Sequence, residues 1–202
     1  MWSTLSVPWQ KSLVQAIEAI RAGSYGVGAV IVDGSDDIVS VGRNRIFEEE
    51  SANGEICGSC IAHAEINAIA SLPKGVDRTE LTLYTSLEPC PMCVGAIGMC
   101  GIKTVRYAAR DPFVGCADLL DKPELLRREG IRAYGPETEA LVNLSVALNF
   151  CGFLRKREPG EEHYLNHIFE PTAPHGVTLA MAIRSPRIWT LSSMARESLS
   201  HW

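Results

Sequence analysis

Residues 81–110, "LTLYTSLEPCPMCVGAIGMCGIKTVRYAAR", decide the architecture. LTLYTSLE and KTVRYAAR are β-branched, aromatic-containing runs. Between them lies PMCVGAIGMCG, which Pro91 opens and Gly101 closes as a helix. Strand, helical crossover and strand in this order imply parallel pairing. Downstream, "KPELLRREG" and "IRAYG" repeat the helix-strand unit. Upstream, residues 27–44, "VGAVIVDGSDDIVSVGRN", hold two β-branched runs around Asp33-Gly34-Ser35-Asp36, the signature of an antiparallel hairpin. Pro8 opens a helix with Leu13, Ile17 and Ile20 on one side. A helix resumes over Ile61–Leu72, and a long amphipathic helix is expected from Glu137 to about Lys156. The expected fold is α/β: a three-layer α/β/α sandwich on a mixed sheet of about five strands whose last strands are parallel.

With 202 residues, 46% of them hydrophobic, the chain can bury one full core but hardly two. Residues 1–156 read as one domain. Residues 157–202, rich in Pro, His and Ser and without a clear period, read as a C-terminal extension packed on it. The formal net charge of -5 offers no general basic field for phosphate backbones, which argues against nucleic acid as a partner. No apolar run approaches the roughly 20 residues that span a bilayer. "MWSTLSVPWQ" lacks the basic start and apolar core of a signal peptide, so a soluble, cytoplasmic protein without a membrane partner is expected. The 7 cysteines are odd in number, and two pairs are spaced Cys-x-x-Cys. That spacing favours metal or redox chemistry over a disulfide framework.

His63, Cys90 and Cys93 are zinc-ligand types, and three protein ligands with one open position describe a catalytic zinc site. Because Pro91 starts a helix, Cys90 and Cys93 fall one turn apart on one face of its N-terminus, where the macrodipole favours thiolates. His63 and Glu65 stand two positions apart. Mid-helix they would diverge, but at a first turn both can reach past the helix end. His63 can then ligate while Glu65 meets the water. Glu65 would take a proton from that water, pass it to a ring nitrogen of the substrate and protonate the departing amine. A competing reading joins Cys57 and Cys60 to Cys90 and Cys93 as a closed, structural four-cysteine zinc module. It leaves His63 and Glu65 unexplained.

H-x-E followed by P-C-x-x-C is a zinc nucleobase-deaminase signature. With "GAVIV", "GRNR", "HAEINAIA", "TLYTSLEPCPMCVGAI" and "VRYAARDPFVG", the chain resembles the cytidine deaminase superfamily over roughly residues 10–155. The resemblance is closer to the branch of nucleobase, nucleoside and tRNA adenosine deaminases, including the guanine and cytosine enzymes. It implies that His63, Cys90 and Cys93 hold one zinc ion, that Glu65 shuttles protons, and that the Asn44 side chain and Ala64 N–H hold the substrate ring. It also implies a homodimer. The expected substrate is a small aminated heterocycle: a free nucleobase, a nucleoside or a related purine, pyrimidine or triazine ring. tRNA adenosine is the alternative, against which the acidic charge stands.

A small ring needs shielding from bulk water. The extension offers Tyr164, Phe169, Trp189 and Trp202, with His163 and His167 nearby, as material for a lid; the alternative is a tail that covers the core or a dimer surface. Cys57 and Cys60 in "ICGSC" depart from the family pattern, and their role stays open between lining the pocket mouth and redox or metal chemistry. Glu88 either orients a zinc ligand or touches substrate. Cys100, Cys116 and Cys151 read as core residues, and Arg127, Arg128, Arg132 and "LRKRE" as solvated faces.

Overall fold

The computed structural model describes residues 2–51, 54–156 and 162–183. The strands are β1 (Gly28–Val32), β2 (Ile38–Arg43), β3 (Thr82–Leu87), β4 (Thr104–Ala109) and β5 (Arg132–Tyr134). They form one sheet in the order β2-β1-β3-β4-β5. β1 runs antiparallel to β2 and β3, whereas β3, β4 and β5 are parallel. The helices are α1 (Val7–Arg21), α2 (Ala64–Ala70), α3 (Pro91–Cys100), α4 (Glu124–Glu129), α5 (Glu139–Leu154), α6 (Glu162–Phe169) and α7 (Pro174–Ile183). α1 and α5 pack together against one face of the sheet, and α2 and α3 belong to the other. All five residues of β1 are buried as a result. This is the sandwich expected from the crossovers.

Two contacts set the position of α2, which carries the histidine and glutamate. At Gly42 a Cβ would lie 2.3 Å from both the Ala64 carbonyl oxygen and the Ala68 nitrogen, so only glycine lets α2 lie this close to β2. Asn67, fully buried on the same helix, accepts from Ile56 N–H (2.8 Å) and donates to the carbonyls of Ile56 (3.0 Å) and Arg43 (3.1 Å). A polar residue inside an apolar helix thus fastens the polar loop after β2. Asn67→Ala removes all three bonds and leaves part-buried backbone groups without their partner, which should cost on the order of 3 kcal/mol. In a chain of this size that corresponds to a melting temperature lower by roughly 6–12 °C. A calorimetric scan of the two proteins checks this.

Two details differ from the sequence expectation. α2 begins at Ala64, not Ile61, because His63 is in an extended conformation (φ -75°, ψ 157°) and serves as N-cap. α5 is not amphipathic: its residues 145–152 are all buried. α7 stacks on the side of α5 that would otherwise meet solvent, so α5 is covered by the sheet below and a helix above. Within the extension, Phe169 is buried against Phe150 and Phe153 at ring-centroid distances of 5.7 and 6.1 Å. Trp189 and Trp202 lie outside the described residues. Among the described residues no helix is long and apolar enough to cross a membrane.

Candidate active site

The carboxyl ends of β3 and β4 and the N-termini of α2 and α3 converge on one point. His63 is the N-cap of α2 and Cys90 the N-cap of α3, both with extended backbones. A capping side chain normally accepts a bond from the first turn. Neither residue makes one, so both side chains are free to turn toward each other. Cys90 Sγ lies 3.5 Å from His63 Nδ1, Cys93 Sγ 3.6 Å from the same nitrogen, and the two sulfurs 3.6 Å apart. Four-coordinate zinc with Zn–S near 2.3 Å and Zn–N near 2.0–2.1 Å has ligand-to-ligand edges of about 3.5–3.8 Å. The three donors therefore fit one zinc ion, and among the described residues they are the group able to hold a metal.

The electrostatics of the trio agree with that fit. The two thiols share a proton, which brings Cys90 down to about 4 and pushes Cys93 up. The hydrogen bond with Cys90 also raises the imidazole of His63. A positive centre among these donors would take over the role of the shared proton.

Glu65 sits on the first turn of α2 and is buried. Its Oε1 accepts from the Thr85 hydroxyl (2.9 Å) and its Oε2 from Cys93 Sγ (3.4 Å). Burial holds its carboxyl above the usual carboxylate range, with the His63 imidazole and the Thr85 bond working in the opposite direction. A buried carboxyl so perturbed, beside a cluster of metal-ligand types, holds a proton more readily than an exposed one and is suited to proton transfer.

These groups open into a cavity of about 240 Å³ whose lining includes Tyr25, Asn44, His63, Ala64, Glu65, Asp111, Asn149 and Phe153. All six residues singled out in the sequence as site residues are at this place: His63, Ala64, Glu65, Cys90 and Asn44 line the cavity, and Cys93 is in contact with His63 and Glu65. The side chains of "GRNR", at the end of β2 and just beyond it, part in direction. Asn44 faces the cavity and uses its Oδ1 on Ile46 N–H (3.2 Å). Arg43 and Arg45 turn instead to Glu48 and Glu55; Arg45 Nη1 and Nη2 lie 2.6 Å from Glu48 Oε2 and Glu55 Oε2.

Glu88, left open by the sequence, accepts from Ala117 N–H (3.0 Å) and so ties the loop after β4 to the start of α3. Asp111 Oδ1 accepts from the N–H groups of Phe113 and Val114. This turn holds Phe113 and Val114 at the cavity mouth, 60% and 41% exposed. Cys57 and Cys60 do not join Cys90 and Cys93, which removes the geometry of a four-cysteine site. Thr85, Asp111, Tyr25, Asn149 and Phe153 are site residues that the sequence reading missed. Only Asn149 carried a local signal, as a lone amide in the apolar run "SVALNFCGFL".

Residues 8–109 match the family model described as "Cytidine and deoxycytidylate deaminase zinc-binding region". The tRNA-specific adenosine deaminase of Bacillus subtilis (strain 168) is 33% identical over 114 residues, covering 55% of this chain and 65% of that protein. The guanine deaminase of the same organism is 39% identical over 105 residues, covering 50% of this chain and 61% of that protein. The chain thus spans less than two thirds of the length of either relative. A chain solved in studies of A-to-I editing by tRNA:A34 deaminases at the wobble position of transfer RNA superposes with a TM-score of 0.53 at 28% identity, covering 63% of this chain and 95% of that one.

Proposed function

The chain belongs to the cytidine and deoxycytidylate deaminase zinc-binding family, and from this premise we infer that it hydrolytically deaminates a small aminated heterocycle, with release of ammonia. The observation that carries this reading is the cavity. At about 240 Å³ it lies below the ~300–1,000 Å³ typical of drug-sized ligands. With Tyr25 and Phe153 along its wall, ring centroids 4.4 Å apart, it suits one flat ring system.

One zinc ion is the cofactor. We assign its ligands as His63, Cys90 and Cys93; bound there, the ion supplies a position at which water is acidified toward neutral pH. Glu65 carries two protons in turn. The first goes from water to the ring nitrogen, where it stays, as the water oxygen bonds to the amino-bearing carbon. The second goes from the added hydroxyl to the amino group, whose bond to carbon then breaks. Ring C–NH2 and water become ring C=O and ammonia. Thr85 orients the carboxyl by donating its hydroxyl to Oε1. Asn44 Nδ2 and the Ala64 N–H, on the first turn of α2, are the proposed ring contacts.

A second reading, action on tRNA adenosine, is favoured by the similarity to tRNA-specific relatives and by the exposed Phe113 and Val114 at the mouth, where unpaired bases could stack. Against it stand the net charge of -5 and the pairing of Arg43, Arg45, Arg127 and Arg128 with glutamates. Ammonia release should be followed with cytosine, adenine, guanine, triazine bases, their nucleosides and tRNA anticodon stem-loops. Release from at least one free base or nucleoside and none from RNA is expected. Release from RNA alone would overturn the small-ring reading in favour of the second.

A further inference from the structure

Asn149 stands in α5, in the helical layer opposite the one that carries His63, Cys90 and Cys93, yet it lines the same cavity. It is 2% exposed, and its Nδ2 is buried without a hydrogen-bond partner. Leaving such a donor unpaired is costly, and native chains rarely do so without a reason. The backbone on which it rides has little freedom to move away. A Cβ at Gly26 would lie 2.2 Å from the Leu148 carbonyl oxygen, and one at Gly152 would lie 2.8 Å from Tyr25 Cα. α5 is therefore pressed directly on residues 25–26 on both sides of Asn149, and Tyr25 is itself a cavity wall.

We propose that the Asn149 side-chain amide is a specificity-determining contact that donates from Nδ2 to a hydrogen-bond acceptor, a carbonyl oxygen or unprotonated ring nitrogen, on the edge of the bound heterocycle turned toward α5. The inference rests on the small-ring reading and narrows it. Asn44, its Oδ1 already accepting from Ile46 N–H, offers Nδ2 as its donor to the ring. Two amide donors from different layers then call for a ring with acceptors on two edges, as in an oxo-pyrimidine or oxo-purine, and disfavour rings with a hydrocarbon edge. A site built to satisfy a polar substrate group discriminates strongly against the analogue lacking it, because the protein donor is then left unpaired.

The competing arrangement is internal. Ser145 lies one turn earlier on the same side of α5, its Oγ likewise buried without a partner, and it does not line the cavity. Were Asn149 a structural partner of Ser145, replacing it would lower stability and leave ring recognition unchanged.

The test measures affinity by calorimetry on zinc-loaded Glu65→Ala protein, so that no product forms. Rings are supplied as matched pairs in which one ring nitrogen is replaced by C–H or one carbonyl is removed. With Asn149 present, at least one pair should differ by roughly 10- to 100-fold. With Asn149→Leu or Asn149→Ala added, that ratio should fall to within about 2-fold. The melting temperature of the Leu variant should be unchanged or raised, since removing an unpaired buried donor relieves its desolvation. The same pairwise ratios in all three proteins, or a lower melting temperature with those ratios kept, would overturn the inference and leave the small-ring reading intact. Failure of every ring to bind would overturn both.

Discussion

In the Glu65→Ala protein, turnover is expected to fall at least ~100-fold, while the chain folds and still carries one zinc ion. The two halves of this expectation come from different contacts. The metal-holding trio is complete without Glu65, since its three mutual distances of 3.5–3.6 Å involve only His63, Cys90 and Cys93. Proton transfer is lost with the side chain, because Glu65 is the cavity carboxyl in contact with Cys93. Folding should tolerate the change. A buried carboxyl bears a desolvation cost, and its removal leaves one hydroxyl, on Thr85, without its acceptor. Steady-state ammonia release and the metal content of the purified protein report the two halves separately. Wild-type turnover in the variant would remove Glu65 from the chemistry, and loss of zinc would move it into the metal's ligand set.

The hairpin of β1 and β2 and the parallel β3, β4 and β5 were legible because their signals are local: β-branched runs, a four-residue polar turn, and a helix opened by Pro91 and closed by Gly101. So were the zinc-ligand types, since Pro91 marks the helix start that puts Cys90 and Cys93 one turn apart on one face, and His63 stands two positions before Glu65. What escaped was tertiary in origin. α5 read as amphipathic because nothing in its own residues announces that α7 will cover its outer side. Thr85 is an ordinary strand residue until the sheet turns it to Glu65. Glu88 could not be assigned from its neighbours Pro89 and Cys90, because its partner, the Ala117 N–H, is supplied by a loop 29 residues further along. Asn67 and Asn149 read alike in sequence, each a single amide in an apolar helix. In the fold, one is satisfied three times over and the other not at all at Nδ2. That contrast separates a residue that fastens a loop from one that awaits a ligand.

Cys93→Ser should leave the chain essentially free of zinc where the parent carries about one ion, and turnover should vanish with the metal. Serine nearly preserves the shape of cysteine, and Cys93 lies on the first turn of α3, a helix held by Val94 and Ile97 in the core, so the fold is expected to persist. What disappears is the thiolate. Two thiolates and a neutral imidazole balance the charge of the ion, whereas a hydroxyl stays protonated and a weak ligand. Stability supplies an independent readout. A metal that binds only the folded chain raises the melting temperature, and a chain that cannot bind it gains nothing. Adding a chelator should therefore lower the melting temperature of the parent and of Glu65→Ala, yet leave that of Cys93→Ser unmoved. The contrast also distinguishes the proposed ligand set from one using the other cysteine pair: Cys57→Ser together with Cys60→Ser should keep both the zinc and the chelator response. Full zinc content in Cys93→Ser would place the ion elsewhere and, with it, deprive Glu65 of its assigned role.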